Sequence, residues 1–315
     1  MLMLQHQTVL LAPAVAALQV HDGGIYVDAT FGRGGHTQYL LNCGQNLSVI
    51  ALDRDQQAIT AGQKLVQETN NQTNNHLKLV KANFADLKEV LAQLQIKQID
   101  GIIYDLGVSS PQFDDPQRGF SYRYNSRLDM RMDQNQQLDA EYIVNQWQYD
   151  QLVKIFYRYG DEKFAKRIAK LIIKKRQKTP IKSTGQLVEI IKEAIPAAAR
   201  RHGGHPAKKV FQALRITVND ELGALEQSLE AAIELLLPQG IMSVITFQSL
   251  EDRIVKQIFR ENSQTKVPAN MPVVPKELQP KLKVITKKPI LPTEEEIEAN
   301  HRAHSAHLRV AQKLK

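Results

Sequence analysis

Short apolar runs alternate with longer amphipathic segments along the first third of the chain. The runs are rich in Ile, Val and Leu, which is typical of strands buried on both faces of a sheet, and the segments between them have helical periodicity. This alternation predicts a parallel, doubly wound α/β sheet. The predicted strands are residues 24–28, 47–53, 76–82 and 99–105, and the predicted helices are residues 35–41, 56–68 and 84–94.

The pattern changes after the fourth predicted strand. Residues 107–133 are rich in Ser, Asp, Arg and aromatic residues and predict a loop. Helical periodicity follows at residues 139–195 and 207–237, before apolar runs at 241–247 and 282–286 predict two further strands. The sheet is therefore predicted to be interrupted by a helical insertion and then completed. The predicted α/β domain comprises residues 1–113 and 207–315, and the predicted helical insertion comprises residues 114–206.

Two polar segments are predicted to lie outside the regular elements. The Asn- and Gln-rich residues 69–75 predict a surface loop between a helix and a strand. Residues 287–315 form a charged tail, for which we predict partial mobility.

The composition favours a protein with a large buried core. Hydrophobic residues make up 43% of the 315 residues, and the single cysteine, Cys43, excludes both a disulfide framework and a zinc site built from cysteines. The N-terminal residues lack the basic segment and apolar run of a signal peptide, and no apolar stretch approaches the roughly 20 residues of a membrane span. We therefore expect a soluble, cytoplasmic protein.

The charge distribution suggests a polyanionic partner. The formal net charge is +8, and residues 154–182 contain 11 Lys or Arg against only Asp161 and Glu162. Much of this excess lies on one face of a predicted helix, where it could contact nucleic acid phosphates. A solvated helix face is the simpler alternative. The one-sided excess favours RNA, and Phe120, Tyr122 and Tyr124 are candidates for stacking on a base.

The loop after the first strand is a candidate cofactor site. Gly32, Gly34 and Gly35 follow a strand and open a helix, so the backbone there can approach a ligand closely and the helix offers free N–H groups. Asp53 ends the next strand, where a carboxylate can accept hydrogen bonds from both ribose hydroxyls of an adenosine. A glycine-rich turn without a ligand is the alternative, and Asp53 argues against it.

Two adenosine cofactors compete for this loop. The dinucleotide fingerprint G-x-G-x-x-G would need a third glycine where Thr37 stands. Asp28 ends the first strand, where its carboxylate would repel a pyrophosphate but suits the ammonium and sulfonium groups of S-adenosylmethionine. The residues therefore favour S-adenosylmethionine over a nicotinamide cofactor. Phe84, after the third strand, is predicted either to stack on the adenine or to anchor the core.

Asp105 is the candidate catalytic residue. It ends the fourth strand, and ligands of open α/β sheets bind at the carboxyl ends of the strands. A carboxylate there could accept hydrogens from an exocyclic amine and orient its lone pair for methyl transfer. A turn-capping Asp is the alternative. Methylation of a cytosine carbon needs a thiolate nucleophile, and Cys43 lies away from this strand end, so transfer to nitrogen or oxygen is favoured.

Several long motifs, in this order along the chain, resemble those of the bacterial 16S rRNA cytosine-N4 methyltransferase family, known as RsmH or MraW. The resemblance extends from His6 to Arg309. The motifs are Asp28-Ala-Thr-Phe-Gly-Arg-Gly-Gly-His36, Asp105-Leu-Gly-Val-Ser-Ser-Pro-Gln112, Arg118-Gly-Phe-Ser121, Leu128-Asp-Met-Arg-Met132, Phe211-Gln-Ala-Leu-Arg-Ile216, Val218-Asn-Asp-Glu221 and Ser249-Leu-Glu-Asp-Arg253.

The resemblance implies both an architecture and an activity. It implies a Rossmann-like class I methyltransferase sheet with an inserted helical domain for substrate recognition. It implies N4-methylation of one cytidine in the decoding region of 16S rRNA in the small ribosomal subunit, with S-adenosylmethionine as donor and without a metal. The cofactor contacts that it implies fall on Gly34, Gly35, His36, Asp53, Phe84, Asp105 and Gln112.

This chain departs from the family pattern at two places. Gln248 stands where the family has His, so we assign no catalytic role to it. The sequence Asn125-Ser-Arg127 replaces the family's Asp-Gly-Pro. Two alternatives to the enzyme hypothesis stay open, a nicotinamide oxidoreductase and a non-catalytic RNA-binding assembly factor. The sequence also leaves the oligomeric state open, with a homodimer as one possibility.

Overall fold

The computed structural model describes residues 8–201, 204–265, 275 and 279–315. The chain divides into two compact units. Residues Met1–Gly107 and Leu222–Lys315 form the first, the α/β unit, and residues Val108–Glu221 form the second, the helical unit.

The α/β unit is built on a seven-stranded sheet with the order β3-β2-β1-β4-β5-β7-β6. The first five strands pair in parallel, and β7 runs antiparallel to both β5 and β6. This sheet confirms the predicted doubly wound α/β class. The strands are β1 Ile25–Asp28, β2 Ser48–Asp53, β3 His76–Lys81, β4 Ile99–Asp105, β5 Leu236–Thr246, β6 Leu282–Val284 and β7 His307–Lys313.

Successive residues of the strands enter two different apolar cores, one on each face of the sheet. Val27 and Ile102 lie in one core, whereas their neighbours Tyr26 and Ile103 lie in the other. This burial on both faces explains why the parallel strands are continuous apolar runs in the sequence. The helices of the unit are Leu11–Ala16, Gly35–Leu41, Gln56–Gln72, Leu87–Gln93, Glu221–Leu235, which begins at the unit boundary, Ser249–Asn262 and Glu294–Ala299, with short 3₁₀ turns at Phe84–Asp86 and His301–Ser305.

The strand order reverses between β1 and β4. Strand β1 pairs with β2 on one side and with β4 on the other, while the chain reaches β4 only after β2 and β3. Ligands of open α/β sheets bind at the carboxyl ends of the strands beside such a point. Asp28 and Asp105 end the two strands that flank it.

The prediction of a mobile charged tail is wrong for its last part. Residues His307–Lys313 form β7, which lies between β5 and β6. The charged side chains of this strand made it resemble an exposed tail in the sequence, but in the structure they form ion pairs or hydrogen bonds inside the protein. Arg309 makes two hydrogen bonds to Asp252, and the buried Nζ of Lys313 donates to the Ile233 carbonyl at 2.6 Å. The predicted loop at residues 69–75 is also shorter, because the preceding helix continues to Gln72.

The helical unit has an apolar core of its own, which includes Leu128, Phe156, Ile168 and Leu214. Residues 107–133 are not wholly irregular, because they contain a short helix and a 3₁₀ turn. The helices are Ser110–Asp114, Ala140–Gln146, Tyr149–Arg158, Ala165–Arg176, Thr184–Ala194, Ala197–Arg200 and Lys208–Asn219, and the 3₁₀ turn is Pro116–Arg118.

The helical unit is wider than the insertion predicted at residues 114–206. It includes the helix Lys208–Asn219, because Val210, Phe211 and Leu214 are buried in the helical core. The single long helix predicted at residues 207–237 is in fact two helices. They are separated at Asp220, whose φ of 46° is left-handed and ends the first helix.

Several of the motifs are structural within the helical unit. The guanidinium of Arg118, which is 2% exposed, donates to the carbonyls of Arg131 and Met132 at 2.9 and 3.0 Å. The amide of Asn219 accepts from the Met132 backbone N–H and donates to the Met130 carbonyl, both at 2.8 Å. These buried polar contacts fix the segment of residues 128–132 onto the helical core.

The segment Asn125–Arg127, where the chain departs from the family pattern, is held by the start of a helix. Asn125 Oδ1 accepts from the Gly185 N–H at 3.2 Å, and the Ser126 N–H donates to Thr184 Oγ1 at 3.0 Å. Arg127 donates to Asp139 Oδ2 at 2.8 Å. Side-chain contacts thus support this loop without the family's Gly and Pro.

The aromatic residues predicted as stacking candidates differ in exposure. Phe120 is buried, and the Tyr122 ring already stacks on His205 at 4.4 Å between ring centroids. Only Tyr124 is well exposed, at 49%. Across the part of the chain that the structure describes, no helix has both the length and the apolar character needed to cross a membrane.

Candidate active site

Asp28 organises the loop that follows β1. Its side chain is buried, Oδ1 accepts from the Thr30 N–H at 3.0 Å, and Oδ2 accepts from the Thr37 hydroxyl at 2.7 Å. Burial raises the pKa of Asp28 to about 6, although these hydrogen bonds act in the opposite direction. The third position of the dinucleotide fingerprint is thus taken by a threonine whose hydroxyl donates to a buried carboxylate.

The glycines of this loop are required by close packing and by backbone conformation. Gly32 and Gly34 have φ values of 55° and 76°, in the left-handed region that favours glycine. A Cβ atom at Gly34 would lie 2.8 Å from the Phe31 ring, and one at Gly35 would collide with the Thr8 hydroxyl. Only glycine fits at Gly34 and Gly35 without displacing these neighbours, so the loop packs tightly at the start of the helix Gly35–Leu41.

Asp53 connects the ends of β1 and β2. Its Oδ2 accepts from the Gly32 N–H and its Oδ1 accepts from the Asp55 N–H, both at 2.8 Å. Burial raises the pKa of Asp53 to about 6, and the charges of Asp55 and Asp28 act in the same direction. The side chain is partly exposed. It can therefore hold the glycine loop and still accept hydrogen bonds from a ribose.

Asp105 and His36 face each other at the end of β4. His36 Nδ1 lies 3.7 Å from Asp105 Oδ2, and the Asp105 backbone N–H donates to Thr30 Oγ1 at 2.6 Å. Asp105 Oδ1 and His36 Nε2 are buried atoms without a hydrogen-bond partner among the described residues. Such orphaned polar atoms are costly unless a ligand satisfies them, so the pair is built for a bound molecule.

Burial, followed by repulsion from Asp28 and Glu251, raises the pKa of Asp105 to about 8. Burial also lowers the pKa of His36 to about 4, so the imidazole is neutral at pH 7. Without a ligand, the site therefore has one carboxyl group that is mostly protonated at neutral pH beside a neutral histidine. A cation bound here would favour the ionised carboxylate.

Glu251 is a site residue that our sequence reasoning missed. Its side chain is 2% exposed, and Oε2 accepts from the backbone N–H groups of Phe247 and Gln248 at 2.9 and 3.3 Å. Glu251 Oε1 accepts from Gln248 Nε2 at 2.8 Å. The motif of residues 249–253 could have indicated it, because this motif begins shortly after β5 and so lies at the carboxyl edge of the sheet. Gln248 acts as the N-cap of the helix Ser249–Asn262.

Four carboxyl groups therefore gather at the carboxyl ends of neighbouring strands. Asp53 ends β2, Asp28 ends β1, Asp105 ends β4, and Glu251 follows β5. No partner cation for Asp28, Asp53 or Asp105 appears among their interactions, and like-charge repulsion raises the pKa of both Asp53 and Asp105. This negative edge suits a ligand with positive charges and a ribose. It fits S-adenosylmethionine.

The two remaining predicted cofactor contacts lie in different surroundings. Phe84 is half-buried, packs against the core and meets Tyr104 edge to face at 6.0 Å. It is therefore a core anchor whose remaining surface is open to a ligand. Gln112 is buried in the helical unit, where its Oε1 accepts from the Ser109 N–H at 3.0 Å and caps the helix Ser110–Asp114. Contact between Gln112 and the cofactor stays a prediction.

Comparison with known proteins agrees with this geometry. The model of the MraW methylase family matches residues 3–314. Ribosomal RNA small subunit methyltransferase H of Limosilactobacillus fermentum is 56% identical to this chain, and the match covers 98% of both proteins. The protein of the same name from Lactobacillus johnsonii is 54% identical, over 98% of this chain and 99% of its own.

Solved structures show weaker similarity. An rRNA methylase from Streptococcus thermophilus has 11% identity and a TM-score of 0.42, with 98% of both chains covered. A methyltransferase from Streptococcus mutans in complex with SAH has 12% identity and a TM-score of 0.46, with 98% of this chain and 100% of its own covered. These low scores do not establish a common fold by themselves.

The family model spans nearly the whole chain, including the four residues whose carboxyl groups gather at the edge of the sheet. It confirms the predicted resemblance and, with it, the predicted reaction class and methyl donor, S-adenosylmethionine. This chain belongs to the MraW methylase family.

Proposed function

We propose that this protein methylates the N4 amine of a cytidine in the decoding region of 16S rRNA in the small ribosomal subunit, in the cytoplasm. The observation that carries the proposal is the buried, unpartnered Asp105 Oδ1 at the end of β4, beside neutral His36. The relatives that are 54–56% identical are named as methyltransferases of small-subunit ribosomal RNA, which supports the class of substrate.

Different residues of the α/β unit bind different parts of S-adenosylmethionine. The carboxylate of Asp53 accepts hydrogen bonds from the ribose hydroxyls, and the glycine loop that it holds through the Gly32 N–H lies beside the cofactor. Asp28 and Asp105 supply negative charge opposite its positive groups. The half-buried ring of Phe84 offers an apolar surface to the adenine. S-adenosylmethionine supplies an electrophilic methyl group.

Asp105 acts on the target amine. The lone pair of the exocyclic amine is delocalised into the cytosine ring, and an acceptor for the amine hydrogens localises it on nitrogen. In the transfer a nitrogen–carbon bond forms, the carbon–sulfur bond breaks, and the electron pair of that bond stays on sulfur. The nitrogen then loses a proton to the Asp105 carboxylate, which the bound cation favours in its ionised form.

The helical unit is proposed to recognise the RNA. Its basic helix Ala165–Arg176 presents Lys and Arg side chains to solvent, while Ile168 and Ile172 are buried in the core. Phosphate contacts of this kind give affinity, and base contacts give specificity. The target base must leave its stack before an enzyme can reach its amine.

Transfer of a labelled methyl group to small ribosomal subunits tests this proposal. Wild-type protein should transfer label, and digestion of the RNA should yield N4-methylcytidine rather than 5-methylcytidine. Asp105→Asn should reduce transfer by roughly 10²- to 10⁴-fold, the usual contribution of a positioned proton acceptor. Asp86→Asn changes an exposed carboxylate of the same unit and should have no effect.

Two results would contradict the proposal. Wild-type protein that binds the RNA and S-adenosylmethionine yet transfers no methyl group would indicate a non-catalytic assembly factor. Label that appears only on a cytosine carbon or a ribose oxygen would retain the methyltransferase but exclude the amine as target.

A further inference from the structure

The helical unit has two grooves that share one lysine. The first has a volume of about 460 Å³ and is lined by Tyr157, Phe164 and the stems of neighbouring cationic residues. The second has a volume of about 270 Å³ and is lined by Trp147, Tyr159 and Arg158. Lys154 lines both. We call these the Tyr157 groove and the Trp147 groove.

The aromatic side chains of both grooves are available to a partner. Tyr157 is 69% exposed, the largest exposed fraction among the exposed large apolar residues that the structure describes. Phe164, Trp147 and Tyr159 are half-buried, so each ring is anchored in the unit and has a free part. Arg158 already lies over the Tyr159 ring at 5.7 Å, which is the cation–π geometry that a guanidinium adopts beside stacked bases.

The cations around the Tyr157 groove are not neutralised by the protein. Lys154, Lys163, Lys166 and Arg167 make no ion pair or side-chain hydrogen bond among the described residues, and all four are exposed. Two of the carboxylates nearby are already engaged. Asp161 lies 3.6 Å from Lys209, and Glu162 is buried with Oε1 accepting from the Phe164 N–H at 2.8 Å. Asp150 lies one helical turn before Lys154.

The whole net charge of the chain belongs to this unit. The helical unit contains 21 Lys and Arg against 13 Asp and Glu, whereas the α/β unit contains 20 of each. The formal net charge of +8 therefore falls on the helical unit alone. A partner that is drawn to this protein by its net charge is drawn to the unit that has the two grooves.

We propose that the two grooves hold unstacked bases of single-stranded RNA, with Lys154 and its cationic neighbours on the intervening phosphates. One exposed tyrosine and three half-buried aromatic rings lie beside unpaired cations there, and the combination of aromatic rings with cations is the common design for binding single-stranded nucleic acid. The proposal rests on the proposed function, which supplies an RNA substrate, and adds the surface that grips RNA outside the methyl-transfer site.

Binding of a labelled single-stranded oligouridylate to the full-length protein tests the grooves directly. Tyr157→Ala should weaken binding about ten-fold or more, because stacking of a base on one aromatic ring contributes that much, whereas Tyr157→Phe should retain the affinity. Tyr142→Ala removes another exposed tyrosine, which lies outside both grooves, and should have no effect. An abasic oligomer should bind weakly and should not distinguish Tyr157→Ala from wild type.

The salt dependence of RNA affinity tests the proposed phosphate contacts separately. Lys154→Gln and Arg167→Gln should each lower the slope of log affinity against log salt by roughly 0.7, the value for one phosphate of a single strand. Lys97→Gln, at an exposed lysine of the α/β unit, should leave the slope unchanged. The affinity for S-adenosylmethionine should be the same in all variants, which verifies that the α/β unit is intact.

The possible outcomes separate this inference from the proposed function. Wild-type affinity for the oligomer in Tyr157→Ala and Lys154→Gln would overturn the inference even if methyl transfer is intact. Tyr157-dependent binding by a protein that transfers no methyl group would retain the grooves and overturn the function. If Tyr157→Ala slows methylation of ribosomal subunits but leaves binding to free RNA unchanged, the grooves dock a ribosomal protein and the inference is wrong.

Discussion

At the scale of single residues, the site is a set of carboxyl groups that burial keeps partly protonated. The pKa is raised to about 6 for Asp28, to about 6 for Asp53 and to about 8 for Asp105. For each of them burial is the largest cause. A site of this kind is poised for a cationic ligand, because ionisation that is unfavourable in the empty protein becomes favourable beside a positive charge.

Cofactor binding should therefore release protons. Below pH 6 the carboxyl groups are protonated in the empty site and must lose protons to pair with a cation, so affinity is low. The affinity of S-adenosylmethionine should rise as the pH increases from 6 to 8, and it should level off once Asp105 is ionised. Titration calorimetry in two buffers of different ionisation enthalpy measures the number of protons released.

The demethylated product, S-adenosylhomocysteine, is the matched control for this prediction. It has the same ribose and amino acid but a neutral thioether in place of the sulfonium. It should release fewer protons at pH 7 and depend less on pH between 7 and 8. Equal proton release for both ligands would mean that the sulfonium does not face Asp105.

At the scale of elements, strands whose buried side chains are mainly apolar are predicted from the sequence, whereas a strand that buries cationic side chains is not. Strands β1 to β4 were predicted within about one residue at each end, because the buried positions of each strand, apart from Asp28 at the end of β1, are apolar. Strand β7 was missed because Arg309 and Lys313 lie inside the unit, and sequence patterns treat buried cations as a solvent-exposed tail. Asp28, Asp53 and Asp105 could be found because each ends an apolar run.

Other features could not be predicted because they depend on tertiary contacts. Glu251 has a polar identity typical of a helix surface, and only the fold turns it toward the backbone N–H groups of Phe247 and Gln248. The helix that ends at Asp220 could not be separated from the next helix in the sequence. The left-handed residue between them is an aspartate, so no glycine or proline marks the boundary. The sequence therefore predicts the strand-end residues of the site better than the residues that support them.

The ion pair between β7 and the helix Ser249–Asn262 should be essential for stability. Arg309 donates to Asp252 at 2.6 and 2.9 Å, and its side chain is 8% exposed. Arg309→Ala would remove both hydrogen bonds and leave the Asp252 carboxylate facing His307 Nδ1 at 3.6 Å, so the free energy of unfolding should fall by about 3 kcal/mol. Unfolding in urea, followed by circular dichroism, measures the change.

Two variants control for other causes of this loss. Arg260→Ala, at an exposed arginine of the same helix, should change the free energy of unfolding by less than about 0.5 kcal/mol. The double substitution Arg309→Leu with Asp252→Leu should recover much of the stability, because two apolar groups leave no charge unpaired. A single Arg309→Ala variant as stable as wild type would contradict the structural role assigned to this pair.

At the scale of the whole molecule, chemistry and charge are segregated. The four carboxyl groups belong to the α/β unit, whose formal net charge is zero, and the net charge of +8 belongs to the helical unit. The buried apolar residues also fall into separate clusters, with the helical core formed entirely by residues of the helical unit. The carboxyl groups proposed to bind the cofactor and the net positive charge thus lie on different units of the chain.

The segregation predicts that residues 108–221 fold as an isolated fragment. The fragment is continuous in sequence, of ordinary domain size and encloses its own core and polar network around Arg118 and Asn219. It should be helical by circular dichroism and unfold cooperatively in urea. Phe156→Ala, at a fully buried core position, should reduce its stability by about 3–5 kcal/mol, whereas Tyr142→Ala should not.

The same fragment should retain most of the RNA affinity of the full chain, because all of the net positive charge and both grooves lie within it. The slope of log affinity against log salt should match that of the full-length protein, whereas S-adenosylmethionine should not bind. A fragment that is folded but binds RNA with a much smaller slope would locate the phosphate contacts on the α/β unit. A fragment that does not unfold cooperatively would mean that the helical core depends on the rest of the chain for its stability.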